Sequence, residues 1–127
     1  MVKLIRFKLN TIIMSKQETK LIGFLKEQYK FPSTNLNEIK NFIDNDCEMK
    51  NLIYNLPKII TQELEHPQIS LDFMKESNRD EKILEISVFT NLDEQTLLQK
   101  EDLLGDKIIN KYPNTENQYI ILLEPNP

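Results

Sequence analysis

Two alternating apolar runs set the plan of this chain. Ile69, Leu71 and Phe73 alternate with Ser70, Asp72 and Met74, and Leu84, Ile86 and Val88 alternate with Ile83, Glu85, Ser87 and Phe89. Period-two alternation marks a strand with one buried face. Between the runs, Glu76-Ser77-Asn78-Arg79-Asp80-Glu81 offers no apolar side chain and several that bond their own backbone in turns, which predicts an antiparallel hairpin. The register that matches apolar to apolar pairs Leu71 with Ile86 and Phe73 with Leu84. It leaves Asp72 opposite Glu85 on the other face, together with Met74, Ile83 and Phe89.

Helical periodicity surrounds this hairpin. Ser15 and Glu18 form a capping box, and Leu21, Ile22, Phe24, Leu25 and Tyr29 follow at spacings of three and four up to Pro32. Asn35 with Glu38 opens a second short helix carrying Leu36, Ile39, Phe42 and Ile43. Asp46 caps a third, whose stripe is Met49, Leu52, Ile53, Leu56, Ile60 and Leu64. Pro57 interrupts that stripe and predicts a kink or a break into two shorter helices. His66, before Pro67, is expected to leave the helix extended. After the hairpin, Thr90 and Asp93 signal another cap, and Leu97, Leu98, Leu104, Ile108 and Tyr112 outline a long helix. Gly105 either ends that helix early or marks a close neighbour. Tyr119 to Glu124 reads as a final strand, parallel to the second hairpin strand by a right-handed crossover, with Pro125-Asn126-Pro127 ending it.

The expected fold is therefore α+β: N-terminal helices plus αββαβ, in two layers, with a mixed sheet of three or four strands. Residues 15–127 are expected to form a single domain. Residues 1–14 are an N-terminal extension or an edge strand, because Val2 to Leu9 alternates with Ile5, Phe7 and Leu9 on one face; Met14-Ser15-Lys16 also resembles an alternative translation start.

Composition narrows the class. The 127 residues suffice for one core without staples, and 39% hydrophobic with 28% charged residues is the balance of a globular chain. The longest apolar runs are strand-sized and Lys3, Arg6 and Lys8 break the N-terminal one, so no membrane span is expected and a cytoplasmic location is. The single Cys47 excludes an internal disulfide and a cysteine-cluster metal site. Charge is unevenly placed: residues 1–30 hold seven basic and two acidic side chains, a net +5 that leaves −9 for the rest of a chain whose total is −4. Such a basic end either neutralises the acidic body, within the fold or across a dimer, or contacts nucleic acid through Lys3, Arg6 and Lys8. Only two arginines are present, which weakens the second alternative.

Most catalytic vocabulary is missing. Gly23 and Gly105 are the only glycines, too few for a phosphate loop, and His66 is the only histidine, so no multi-histidine zinc site exists. No cofactor is implied. The one constellation with possible chemistry is Asp72 facing Glu85, a like-charge pair that a cation would relieve. Over residues 46–124 the order of elements and this pair resemble part of the core of PD-(D/E)XK nucleases, which implies a magnesium ion between the two carboxylates. The chain departs from that pattern in Glu85-Ile86-Ser87, where serine stands in place of the motif's lysine; Lys75 or Lys82 would have to substitute. A solvated sheet face accounts for the same residues. The preferred expectation is a non-catalytic protein–protein interaction or regulatory module, engaging a protein partner or a second copy through Met74, Ile83 and Phe89. A metal-dependent phosphodiesterase-like enzyme using Asp72 and Glu85 is the alternative, and nucleic-acid binding a third.

Overall fold

The computed structural model describes residues 20–33, 35–74 and 82–126. Helix α1 covers residues 20–28. It is followed by α2 (Leu36–Asp44), α3 (Cys47–Glu63), β1 (Gln68–Phe73), β2 (Ile83–Thr90), α4 (Glu94–Lys111) and β3 (Gln118–Pro125). The capping box at Ser15, the strand-like residues 2–9 and the turn at 76–81 lie outside the described residues.

Helix boundaries follow the caps. Asn35 accepts from the Asn37 amide, Asp46 from Met49 and Asp93 from Thr96, each satisfying a backbone donor that the first helical turn leaves unpaired. The hydrogen bonds from Thr96 hold the Asp93 carboxyl below its ordinary pKa. Pro57 does not split α3, which runs as one 17-residue helix through it. Gly105 also lies inside a helix, and no neighbour approaches: a Cβ built there meets nothing within 4 Å. His66 differs from expectation, since its φ of 47° is left-handed and the extended residue is Leu64 at the end of α3. Histidine is among the residue types that tolerate this region.

The sheet has strand order β1-β2-β3, with β1 antiparallel and β3 parallel to the central β2. Leu71 pairs with Ile86, Phe73 with Leu84 and Asp72 with Glu85, the register expected from the alternation. At the outer edge of β1, Lys30 donates to the Ile69 carbonyl and accepts from the Leu71 amide, an isolated parallel bridge among the described residues. β3 reaches Pro125, one residue further than expected. Pro125 shares its direction with Leu123, whose amide points away from β2, so the missing N–H falls on the outer edge and removes no ladder bond.

All four helices bury their stripes against one side of this sheet. Leu25 of α1, Ile39 and Ile43 of α2, Leu52, Ile53 and Leu56 of α3, and Leu104 and Ile108 of α4 form one cluster with Ile69, Leu71, Leu84, Ile86, Val88 and Leu123. Polar ties fix the layers. The Tyr29 hydroxyl donates to the Ile53 carbonyl at 2.6 Å, and burial pushes its pKa well up. Buried Asp46 uses its second oxygen to accept from the Asn117 amide at 2.8 Å, tying the start of α3 to the loop before β3.

Candidate functional site

The other side of the sheet stands outside the helix-packed cluster, although Ser87 at its centre is buried. Residues that alternate with the core positions are Ser70 and Asp72 on β1, Ile83, Glu85, Ser87 and Phe89 on β2, and Ile120, Leu122 and Glu124 on β3. Met74 extends the first row, its amide donating to the Ile83 carbonyl. None of Met74, Ile83, Phe89, Ile120 or Leu122 belongs to the helix-packed cluster. Four of the five are half-buried and Ile120 is 37% exposed. Pairing places Ile83 beside Gln118, Glu85 beside Ile120, Ser87 beside Leu122 and Phe89 beside Glu124, so the apolar residues are neighbours interleaved with carboxylates. The expected interface residues Met74, Ile83 and Phe89 thus share this face, although Met74 and Ile83 lie at one end and Phe89 at the other.

Ile120 and Leu122 enlarge the set and were not singled out by the sequence. The run Tyr119-Ile120-Ile121-Leu122-Leu123 is apolar at every position, so alternation cannot assign its faces; only the parallel register does.

The carboxylates of this face are engaged locally. Asp72 accepts from the Ser33 hydroxyl with one oxygen and from the Phe73 amide with the other, at 2.9 Å. Glu85 lies beside it in the register and accepts from the Ser87 hydroxyl at 3.4 Å, so the serine that replaces the nuclease-type lysine serves its own neighbour. Lys82 lies against the ring of Phe73, 4.9 Å from its centre, and 3.9 Å from Glu38. Phe73 belongs to the core face, so Lys82 does not supply the missing cation to the pair. Among the described residues no group of three or more His, Cys, Asp and Glu side chains gathers to hold a metal ion. Lys3, Arg6, Lys8 and Lys75 lie outside the described residues. Cys47 is exposed at the start of α3, and His66 is exposed.

A groove of about 650 Å³ joins Met74, Ile83 and Ile120 of this face to Gly105 and Ile109 of α4 at the start of β3. Met74, Ile83 and Ile120 form its sheet side, Tyr119 and Ile121 its floor, and Gly105 with Ile109 its α4 wall. Gly105 keeps it open, because any larger side chain would project into the empty space that its missing Cβ leaves. Ile109 is 58% exposed there, an apolar residue off the core stripe of α4. Burial raises the pKa of the Tyr119 hydroxyl, and the charge of Glu48 adds to the shift, so the phenol stays neutral.

No described helix is long and apolar enough to cross a membrane. No family model, curated protein or solved structure matches the chain.

Proposed function

We propose that this protein is a non-catalytic interaction module that docks a protein partner on the open face of its sheet. The observation that carries the reading is that Met74, Ile83, Phe89, Ile120 and Leu122 share one side of the sheet and all stand outside the helix-packed cluster. Burying each such side chain fully contributes roughly 1.5–3 kcal/mol, and the part still exposed is available to a partner. The interleaved Asp72, Glu85 and Glu124 favour a partner that brings basic side chains around an apolar centre. Apolar side chains mixed with carboxylates suit a reversible interface rather than a permanent one.

A photo-crosslinking amino acid placed at Phe89, and in a parallel sample at exposed Gln62 on α3, tests the proposal in cells. A discrete protein adduct from position 89 and none from position 62 is the expected result. Equal adducts from both positions, or none from position 89, contradict it.

A further inference from the structure

Pro57 lies inside α3 with no N–H to donate, and in an unbroken helix the acceptor it leaves waiting is the carbonyl of Ile53, four residues earlier. Ile53 is fully buried, so water cannot supply the missing donor. Tyr29, just after α1, supplies it: the hydroxyl donates to that carbonyl at 2.6 Å. The ring is fixed as well, since Tyr29 belongs to the core cluster and meets Phe24 edge-on with centroids 6.4 Å apart. A gap made by a proline in one helix and a phenol from outside that helix thus meet at one oxygen.

Beyond Tyr29 the chain runs along the edge of the sheet. Lys30 donates to the Ile69 carbonyl and accepts from the Leu71 amide, an isolated bridge that occupies outward backbone groups of β1. Ser33 then donates its hydroxyl to the Asp72 carboxylate on the open face. Of residues 29–33 only Tyr29 is buried, while Lys30, Pro32 and Ser33 are exposed and Phe31 is half-buried. One exposed bridge is a weak hold on a strand edge, and an edge left bare is a template on which another chain can pair.

We infer that residues 29–33 are a strap closing the β1 edge, and that Tyr29 locks the strap by filling the acceptor that Pro57 opens in α3. The two residues act as one unit. Without Tyr29 the proline leaves a buried carbonyl unpaired; without Pro57 the helix serves that carbonyl itself and the hydroxyl loses its particular value. Opening the lock bares the edge groups of Ile69 and Leu71 and releases Asp72 from Ser33 in the same movement, so the strap couples the helix layer to the rim of the open face.

A double-mutant cycle combined with amide exchange tests the lock. Tyr29→Phe removes only the hydroxyl and is expected to raise the unfolding constant, read by urea denaturation, on the order of tenfold. In a Pro57→Ala background, where residue 57 again has an N–H, the same change is expected to raise it less than about threefold. The Leu71 amide is expected to exchange faster than that of Ile86 in the central strand of the wild type, through opening of the strap alone, and Tyr29→Phe is expected to speed it roughly tenfold further. An equal effect of Tyr29→Phe with and without Pro57 overturns the pairing of the two residues. Leu71 exchange that is no faster than that of Ile86, or that Tyr29→Phe leaves unchanged, overturns the strap. Crosslinking from position 89 reads neither quantity, so the proposed function stands or falls separately.

Discussion

Val88 and Phe89 are adjacent in the chain, yet they face environments of opposite kind. Val88 is fully buried among residues contributed by helices and strands alike, whereas Phe89 stands on the open side beside Glu124 and keeps part of its surface in water. The covered side is closed by apolar contacts from all four helices. The open side mixes Ile83, Phe89, Ile120 and Leu122 with Asp72, Glu85, Ser87 and Glu124. A face meant only for water would carry few large apolar residues in register, and one meant only for a permanent core would carry no carboxylates. The mixture suits a surface that is covered part of the time.

Substitutions across that divide give the largest contrast. Ile86→Ala on the covered side is expected to cost about 2–5 kcal/mol, because it leaves a cavity in a closed core. Ile120→Ala, on the neighbouring strand but 37% exposed, is expected to cost only about 1 kcal/mol. Urea unfolding of both variants measures the difference; equal losses would mean that the open side is packed like the core.

Asp46→Ala probes what closes the covered side at its end. It deprives the Met49 and Asn117 amides of their acceptor at 3.1 and 2.8 Å, and the expected loss is about 2 kcal/mol. Asp46→Asn keeps one acceptor oxygen and should lose less. A loss confined to the α3 cap, with the amide exchange of Asn117 unchanged, would show that the loop before β3 does not depend on Asp46.

The smallest expected effect concerns the carboxylate pair on the open side. Glu85→Gln relieves a like-charge pairing with Asp72 and is expected to stabilise by at most about 0.5 kcal/mol. Added Mg²⁺ is expected to leave the melting temperature of wild type and variant alike unchanged. A rise with Mg²⁺ in the wild type that Glu85→Gln removes would instead establish a cation site, since a ligand stabilises the state that binds it.

The hairpin was legible because its two strands alternate strictly and have one register that keeps apolar residues together. Helix starts were legible from Asn35, Asp46 and Asp93, each a side chain that caps by its own chemistry. Tertiary context decided the rest. Pro57 stays within α3, whose Ile53, Leu56, Ile59 and Ile60 are all buried around it, so packing outweighs the missing backbone bond. Gly105 looked like a helix end or a close contact, and its lack of a side chain instead leaves a groove open beside β3. Met74, Ile83 and Phe89 came from the hairpin pattern; Ile120 and Leu122 needed the parallel register, which a uniformly apolar run does not encode.

The most direct test of the docking surface is to measure partner binding and cooperative unfolding together in Phe89→Asp and Ile120→Asp. A charge at either position adds to the acidic open side without entering the helix-packed cluster. Loss of the co-purified partner in both variants, with a single cooperative transition retained, is the predicted result. Undiminished partner binding in two folded variants would contradict the account.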